Sequence, residues 1–179
     1  MTDSYQKIFQ NKKKVMFVFA HPDDAEIYAG GTIARLVKDG KQVKIIKLTT
    51  GNKGSRDENY TEVALSTLRE SEDLNALGVL GLSKEDSTNL NLGDGQVENS
   101  LSTIEKLVKE IRFFKPDILV THNPETSLIR DNDGGYYFNH RDHRHTAISS
   151  IDAVYPYARD NLFFPDQLKN GITGHKLTE

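Results

Sequence analysis

Short apolar runs along the chain alternate with longer stretches in which apolar residues recur every three or four positions. Residues 15–20 form a continuous apolar run of strand length, rich in β-branched and aromatic side chains, as in a strand covered on both faces. A helix is predicted to follow as far as Lys38, with Ile27, Ile33, Leu36 and Val37 as its apolar stripe and Asp39-Gly40 as its stop. Residues 43–50 read as a second strand, and residues 51–60, polar and glycine-bearing, as a loop. Residues 61–77 read as a helix with Val63, Leu68, Leu74 and Leu77 on one face and Gly78 as its C-cap. A short strand around 89–92 ends in the turn Gly93-Asp94-Gly95. Residues 101–114 carry Leu101, Ile104, Leu107, Val108 and Ile111 at helical spacing, and residues 118–122 form a further strand behind Pro116. Residues 123–139 are the one long irregular connection, and connections of that length are usually functional or mobile. Residues 141–158 read as a last helix, after which clear periodicity is lost.

This alternation predicts an α/β, Rossmann-like three-layer fold, a mainly parallel sheet with helices on both faces. A length of 179 residues suits a single domain over residues 1–179, with 1–14 as an N-terminal extension. Asp and Glu number 26 against 23 Lys and Arg, and the net charge of −3 argues against a nucleic-acid binder. The basic cluster Lys12 to Lys14 precedes only six apolar residues, too few for a signal peptide or a membrane span. A soluble, cytoplasmic protein without a membrane span is the expectation. The absence of cysteine excludes disulfides, thiolate metal sites and a cysteine nucleophile, so any metal must be held by His, Asp or Glu.

In open parallel sheets, ligands bind outside the carboxyl ends of the strands. After the first strand stands His21-Pro22-Asp23-Asp24, after the second Thr49-Thr50-Gly51, and after the fourth His122. His21 and Asp24, three apart around a proline turn, can present one nitrogen and one oxygen ligand. Far along the chain, Asn139-His140-Arg141-Asp142-His143 offers two more histidines and a carboxylate. A catalytic zinc takes three protein ligands and leaves a fourth position for water. One His, one carboxylate and one further His meet that need, leaving Asp23 to act on the metal-bound water as general base. Each segment alone has a plainer reading: the first as a capped proline turn, the second as a solvated helix start. Their joint occurrence, one of them at a strand's carboxyl end, points to a metal site. His122 lies either near the substrate or satisfied by a backbone group, and His145, two beyond His143, faces away on a helix and reads as surface. Gly30-Gly31 lacks a phosphate-binding pattern and reads as close helix–sheet packing. The aromatic cluster Tyr136-Tyr137-Phe138 either walls the site or anchors the long loop.

His21-Pro22-Asp23-Asp24-Ala25-Glu26, then Gly30-Gly31-Thr32 and a later His-x-Asp-His, resemble the LmbE/PIG-L family of zinc-dependent N-deacetylases. Further matches are Thr49-Thr50-Gly51, Arg69 and Glu72 ahead of Leu77-Gly78-Val79, Gly93-Asp94-Gly95, Tyr155-Pro156-Tyr157-Ala158-Arg159 and Gly174-His175-Lys176, so the resemblance runs over residues 15–179. It implies one Zn2+ per chain on His21, Asp24 and His143, with Asp23 as general base. It implies that His140 stabilises the oxyanion or protonates the leaving amine, and that Asp142 orients His140 by a hydrogen bond. Arg69 and Asp94 match positions that contact sugar hydroxyls, although Arg69 and Glu72 also read as a helix-surface pair. The activity implied is hydrolysis of a linear C–N bond, removing the N-acetyl group from an N-acetylglucosamine-type sugar or conjugate as small-molecule partner. One rival is a non-catalytic metal- or sugar-binding homologue. Another is a metal-dependent phosphoesterase, which would more often show two metals bridged by carboxylates, and too few carboxylates stand at the strand ends for that. Arg141 stands where the family motif commonly has proline. Relatives continue past the His-Lys segment, so the C-terminal part of the family fold is expected to be missing, and the sheet edges left exposed would favour a homo-oligomer.

Overall fold

The central strand β1 (Lys14–Phe19) is hydrogen-bonded on both sides, and in the computed structural model, which describes residues 3–177, it organises everything else. The outermost residues of the expected domain, 1–2 and 178–179, lie outside the described residues. With β2 (Gln42–Thr49), β3 (Ser87–Leu92) and β4 (Ile118–Thr121) it forms a four-stranded sheet in the order β3-β2-β1-β4, every pairing parallel. Four helices flank the sheet: α2 (Asp24–Lys38), α3 (Glu62–Leu80), α4 (Leu101–Phe114) and α5 (Arg141–Asp152). Val15, Phe17 and Phe19 of β1 and Ile45 of β2 face Ile33 and Leu36 of α2 and Leu77 of α3. Met16, Val18, Ile46 and Leu48 face Ile104, Leu107, Val108 and Ile111 of α4, together with Ala153 and Ala158. Both faces of β1 are thus buried, which accounts for its unbroken apolar run. Among the described residues no helix is long and apolar enough to cross a membrane.

Several local expectations are corrected. The N-terminal extension contains a short helix, α1 (Ser4–Phe9), capped by Asp3, with Phe9 buried in the core. Helix α3 runs past Gly78 to Leu80, and Gly81 takes the left-handed cap conformation at φ 79°. The nearer glycine stays helical because Leu82, whose amide bonds Leu77 O at 2.9 Å, packs onto the core only after the longer helix. Of the four residues expected on its apolar face only Leu77 is buried, and Val63 is 77% exposed. A Cβ built at Gly30 or Gly31 meets nothing within 4 Å, so close packing does not explain that pair, and nothing else in the structure does. Residues 123–139 are not irregular throughout: β5 (Leu128–Arg130) and β6 (Tyr136–Phe138) form an antiparallel hairpin, in strands too short to show an alternating pattern. Helix α5 stops at Asp152 and a wider turn, Ala153–Ala158, follows. Tyr155 is extended there (φ −145°, ψ 127°), as the steric demand of Pro156 requires of the residue before it.

That wider turn is held by a buried cation. Arg112 of α4 is 0% exposed and has only carbonyl and amide partners. Its guanidinium donates to the carbonyl oxygens of Ala158 at 3.2 Å, Tyr157 at 2.8 Å, Asp160 at 3.0 Å, Phe163 at 2.9 Å and Phe164 at 3.3 Å. Five donors in a fixed fork gather the carbonyls of an irregular segment. The oxygens of Ala158, Asp160 and Phe164 also accept the amides of His175, Phe163 and Gln167, so removing the guanidinium strips the partner chiefly from Tyr157 and Phe163, at about 1–3 kcal/mol each. We expect Arg112→Met to lower stability by at least roughly 2 kcal/mol, seen as a lower urea midpoint at unchanged slope. A loss below about 1 kcal/mol would contradict this account of the segment.

Candidate metal centre

The chain leaves β1 through His21, Pro22 and Asp23 and enters α2 at Asp24. Asp23 takes the left-handed conformation (φ 94°, ψ −29°), which few non-glycine residues adopt. Asp24 Oδ2 accepts the His21 amide at 2.8 Å, closing the turn so that the two adjacent carboxylates face different surroundings. Gly51, after β2, lies against this turn: its φ is +65° and a Cβ there would sit 3.3 Å from Pro22 Cδ.

Helix α5 brings in the second half of the site. His140 is its N-cap, and His140 Nδ1 accepts the Asp142 amide at 3.1 Å. A backbone amide only donates, so the neutral His140 ring carries its proton on Nε2. One turn on, His143 Nε2 lies 3.2 Å from His21 Nδ1 and 3.2 Å from Asp24 Oδ1, while His21 Nδ1 is 3.4 Å from Asp24 Oδ2. Donors about 2.0–2.1 Å from a tetrahedral zinc stand about 3.3–3.4 Å apart, a spacing that the two histidines show to each other and each to one oxygen of the Asp24 carboxylate. Overlapping groups of donors add His140 to His21 and His143, combine Asp24, His143 and His122, or set His21 with Asp94 and Asp142. His122 Nε2 already accepts the Ala20 amide at 3.2 Å, His140 Nδ1 is engaged in the cap and both oxygens of Asp142 accept amides, whereas Asp24 accepts the His21 amide on Oδ2 alone.

The far side of the His21 ring meets carboxylates. Its Nε2 is 3.3 Å from Asp94 Oδ1 and 3.4 Å from Asp142 Oδ2, ion-pair contacts that are not aligned as hydrogen bonds. Asp142 is 0% exposed and accepts the amides of Gly95 at 2.7 Å and Val97 at 3.1 Å. Asp94 Oδ2 accepts the Lys53 amide at 2.9 Å. The carboxylate of Asp142 therefore faces His21 and not His140, contrary to the sequence reading. The N-cap geometry lets residue 140 meet the amide two residues on, while the Asp142 side chain turns toward the loop after β3. A carboxylate beside the second nitrogen of a ligating imidazole sets its tautomer and leaves the other nitrogen free to bind.

These contacts shift proton affinities. Burial disfavours a charged His21, but Asp142, Asp24 and Asp94 outweigh it and push its pKa up to about 11. Burial also opposes ionisation of Asp24, yet the imidazoles facing it, His143 and His21 among them, hold it well below the usual carboxylate range. Asp142 is lowered in the same way: burial is outweighed by His21 and the amides of Gly95 and Val97. His21 draws Asp94 down as well. Asp23 moves the other way, raised by burial and by Asp24, with Arg69 acting against both. Burial, and then the charge on His21, lower His140.

One cleft of about 450 Å³ is lined by seven of the eight residues singled out from sequence: His21, Asp23, Asp24, Arg69, Asp94, His140 and His143. Asp142 stands behind it. Arg69 Nη1 lies 3.4 Å from Asp23 and equally 3.4 Å from Glu72, so the helix-surface pair forms and the same guanidinium also reaches the cleft. His122 bonds a backbone amide and also lies 3.4 Å from Asp24 Oδ2, and His145 accepts the Asn99 amide away from the site. Sequence reasoning missed Tyr28, whose ring stands edge-on to His122 and His143. Its position four residues after Asp24 on one helix face was the available signal.

Residues 16–154 match the PIG-L family, GlcNAc-PI de-N-acetylase. The chain is 31% identical over 169 residues to the diacetylchitobiose deacetylase of Thermococcus kodakarensis, covering 94% of this chain and 59% of that one. It is 30% identical to a 1D-myo-inositol 2-acetamido-2-deoxy-alpha-D-glucopyranoside deacetylase of Segniliparus rotundus, covering 79% of this chain and 50% of the relative. Its backbone superposes on the N,N'-diacetylchitobiose deacetylase from Pyrococcus horikoshii with a TM-score of 0.85 at 28% identity, over 97% of this chain and 60% of that one. The chain thus spans between 50% and 60% of the length of these relatives.

A metal binds the neutral imidazole, so an ion entering this site must displace a proton from His21. The folded pKa near 11 lies above the unfolded value of about 6.5. The stability this contributes is complete below about pH 6.5 and is lost as pH rises toward 11. We expect zinc binding at pH 8 to release about one proton, read from the buffer dependence of the calorimetric enthalpy. Release near zero would mean that His21 is already neutral and the carboxylate contacts do not act as described.

Proposed function

The chain belongs to the PIG-L family of GlcNAc-PI de-N-acetylases, and on that footing we propose that it is a zinc-dependent hydrolase removing the N-acetyl group from an N-acetylglucosamine-type sugar or conjugate. One observation carries the reading: His21 Nδ1, His143 Nε2 and the Asp24 carboxylate converge within 3.2–3.4 Å, with Asp23 beside them and outside the trio. His21, Asp24 and His143 would hold one ion per chain. When bound, zinc supplies Lewis acidity, polarising an amide carbonyl and making water more acidic.

The remaining work falls to side chains. Asp23, more basic than an ordinary aspartate through burial and its neighbour Asp24, takes the proton of the attacking water. Arg69, 3.4 Å away, keeps that carboxylate ionised and aimed. His140, with its proton on Nε2, donates to the oxygen on which charge develops or to the leaving nitrogen. Asp142 holds His21 in the ligating tautomer, a positioning role one step removed from the one the family resemblance implied. Arg69 and the rim of Asp94 offer contacts to sugar hydroxyls. That two relatives are deacetylases of acetylated amino sugars supports this substrate class.

The phosphoesterase reading gains carboxylates from the fold, since Asp94 and Asp142 join Asp23 and Asp24, but not free ones. Both oxygens of Asp142 are bonded to amides, and Asp94 is shared between Lys53 and His21. A protein that only bound metal or sugar would have no use for a carboxylate held in a strained turn beside the donors.

With one zinc restored per chain, we expect acetate release from N-acetylated glucosamine substrates. Asp23→Asn should keep its zinc and lose roughly 10²–10⁴-fold in kcat, and His140→Ala roughly 10²–10³-fold. Asp24→Ala should lose the zinc itself, as read by elemental analysis. Full activity of zinc-bound Asp23→Asn would remove Asp23 as the base.

A further inference from the structure

A second cavity, of about 310 Å³, adjoins the cleft on the far side of His143. His143 and Tyr28 line both spaces, so the two meet at the edge of the candidate metal centre. Their chemistry differs. The cleft offers Asp23, Lys53, Arg69 and Asp94, whereas the second cavity has no Asp, Glu, Lys or Arg among its lining residues and sets Phe19, Ala29, Val120 and Ile129 beside the uncharged polar Thr121, Asn123 and Thr126 and the ring of His122. Ile129 comes from β5 of the antiparallel hairpin. Asn139, only 6% exposed, also lines the cavity: its Nδ2 donates to Thr126 O at 2.8 Å, while its Oδ1 has no partner. Neither the motifs nor the proposed mechanism uses this space.

We propose that this cavity is the acyl-side pocket of the site, and that the protein hydrolyses N-acylated amino sugars whose acyl group is longer than acetyl. This rests on the hydrolase reading above and extends it from acetyl to longer aliphatic acyl groups. A scissile amide at the common wall puts its sugar among the charged residues and its acyl chain among the apolar ones, which is how a mostly apolar pocket with few polar groups orients an amphipathic ligand. The reaction is otherwise unchanged. The amide C–N bond breaks, a C–O bond forms from water, the acyl part leaves as a carboxylate, and the nitrogen takes up a proton to leave as an amine. An acetyl methyl occupies little of such a cavity. Each further methylene drawn from water into it favours the transition state by about fourfold until the space is filled.

The test compares kcat/KM of the zinc-restored full chain on N-acetyl-, N-butyryl- and N-hexanoylglucosamine. The expected result is a rise of about tenfold or more from acetyl to butyryl. Two substitutions that fill the cavity, Ala29→Leu and Ile129→Phe, should bring the butyryl-to-acetyl ratio of kcat/KM down to about one or below, with one zinc per chain and an unchanged urea midpoint as their folding control. Calorimetric binding of butyrate against acetate to the unsubstituted protein reads the same preference without turnover, so it decides the matter if either variant fails to fold. Cleavage of the acetyl substrate with no gain for butyryl would overturn the acyl pocket and leave the deacetylase reading standing. No cleavage of any acyl group by the zinc-loaded chain would overturn both.

Discussion

The His21 ring is the tie on which the carboxyl edge of the sheet depends. Its Nδ1 points to Asp24 and His143, and its Nε2 to Asp94 and Asp142. The turn after β1, the loop after β3 and the start of α5 therefore meet through one imidazole. The two sides make opposite demands. The carboxylates on Nε2 need a proton there, which frees the lone pair of Nδ1 for a metal, and without a metal the same carboxylates retain a second proton on the ring. Proton and metal thus compete for one nitrogen, and the geometry that raises the affinity for one also prepares the site for the other.

Neighbouring carboxylates acquire different characters from their surroundings alone. Asp23 and Asp24 are adjacent in sequence, yet Asp24 is drawn down by the imidazoles facing it and Asp23 is raised by burial and by Asp24 itself. The left-handed backbone at Asp23 produces the separation, turning one carboxylate into the donor cluster and leaving the other at its rim. Two carboxyl groups pushed in opposite directions divide naturally into a ligand and a base. The parallel register of β1 with β2 and β4 then carries the loops that complete the cleft to the same level.

Much of this was legible in the sequence, and the rest was not for identifiable reasons. The unbroken apolar run of β1 and the helical spacing in α4 report burial directly, and both elements form where those patterns lie. The His21–Asp24 turn and the His140–His143 segment were readable because strand topology says which ends converge. Ile27 misled, since it belongs to the apolar pattern of α2 but is 71% exposed and lines the cleft. The hairpin of β5 and β6 was hidden by its length, three residues to a strand. The partner of Asp142 was out of reach because it follows from capping geometry, which decides whether a side chain or a backbone amide meets His140. Arg112 gave no signal at all: an arginine in an amphipathic helix reads as surface, and only the fold reveals the carbonyls that surround it.

The two sides of one imidazole carry different tasks, and that division is open to direct observation. The decisive measurement is a crystal structure of the protein soaked in zinc, with the ion located by anomalous scattering. One ion per chain is expected, bonded to His21 Nδ1, His143 Nε2 and Asp24, with Asp23 left uncoordinated and Asp142 still beside His21 Nε2. An ion held instead through His21 Nε2 with Asp94 and Asp142, or through His122, would contradict it.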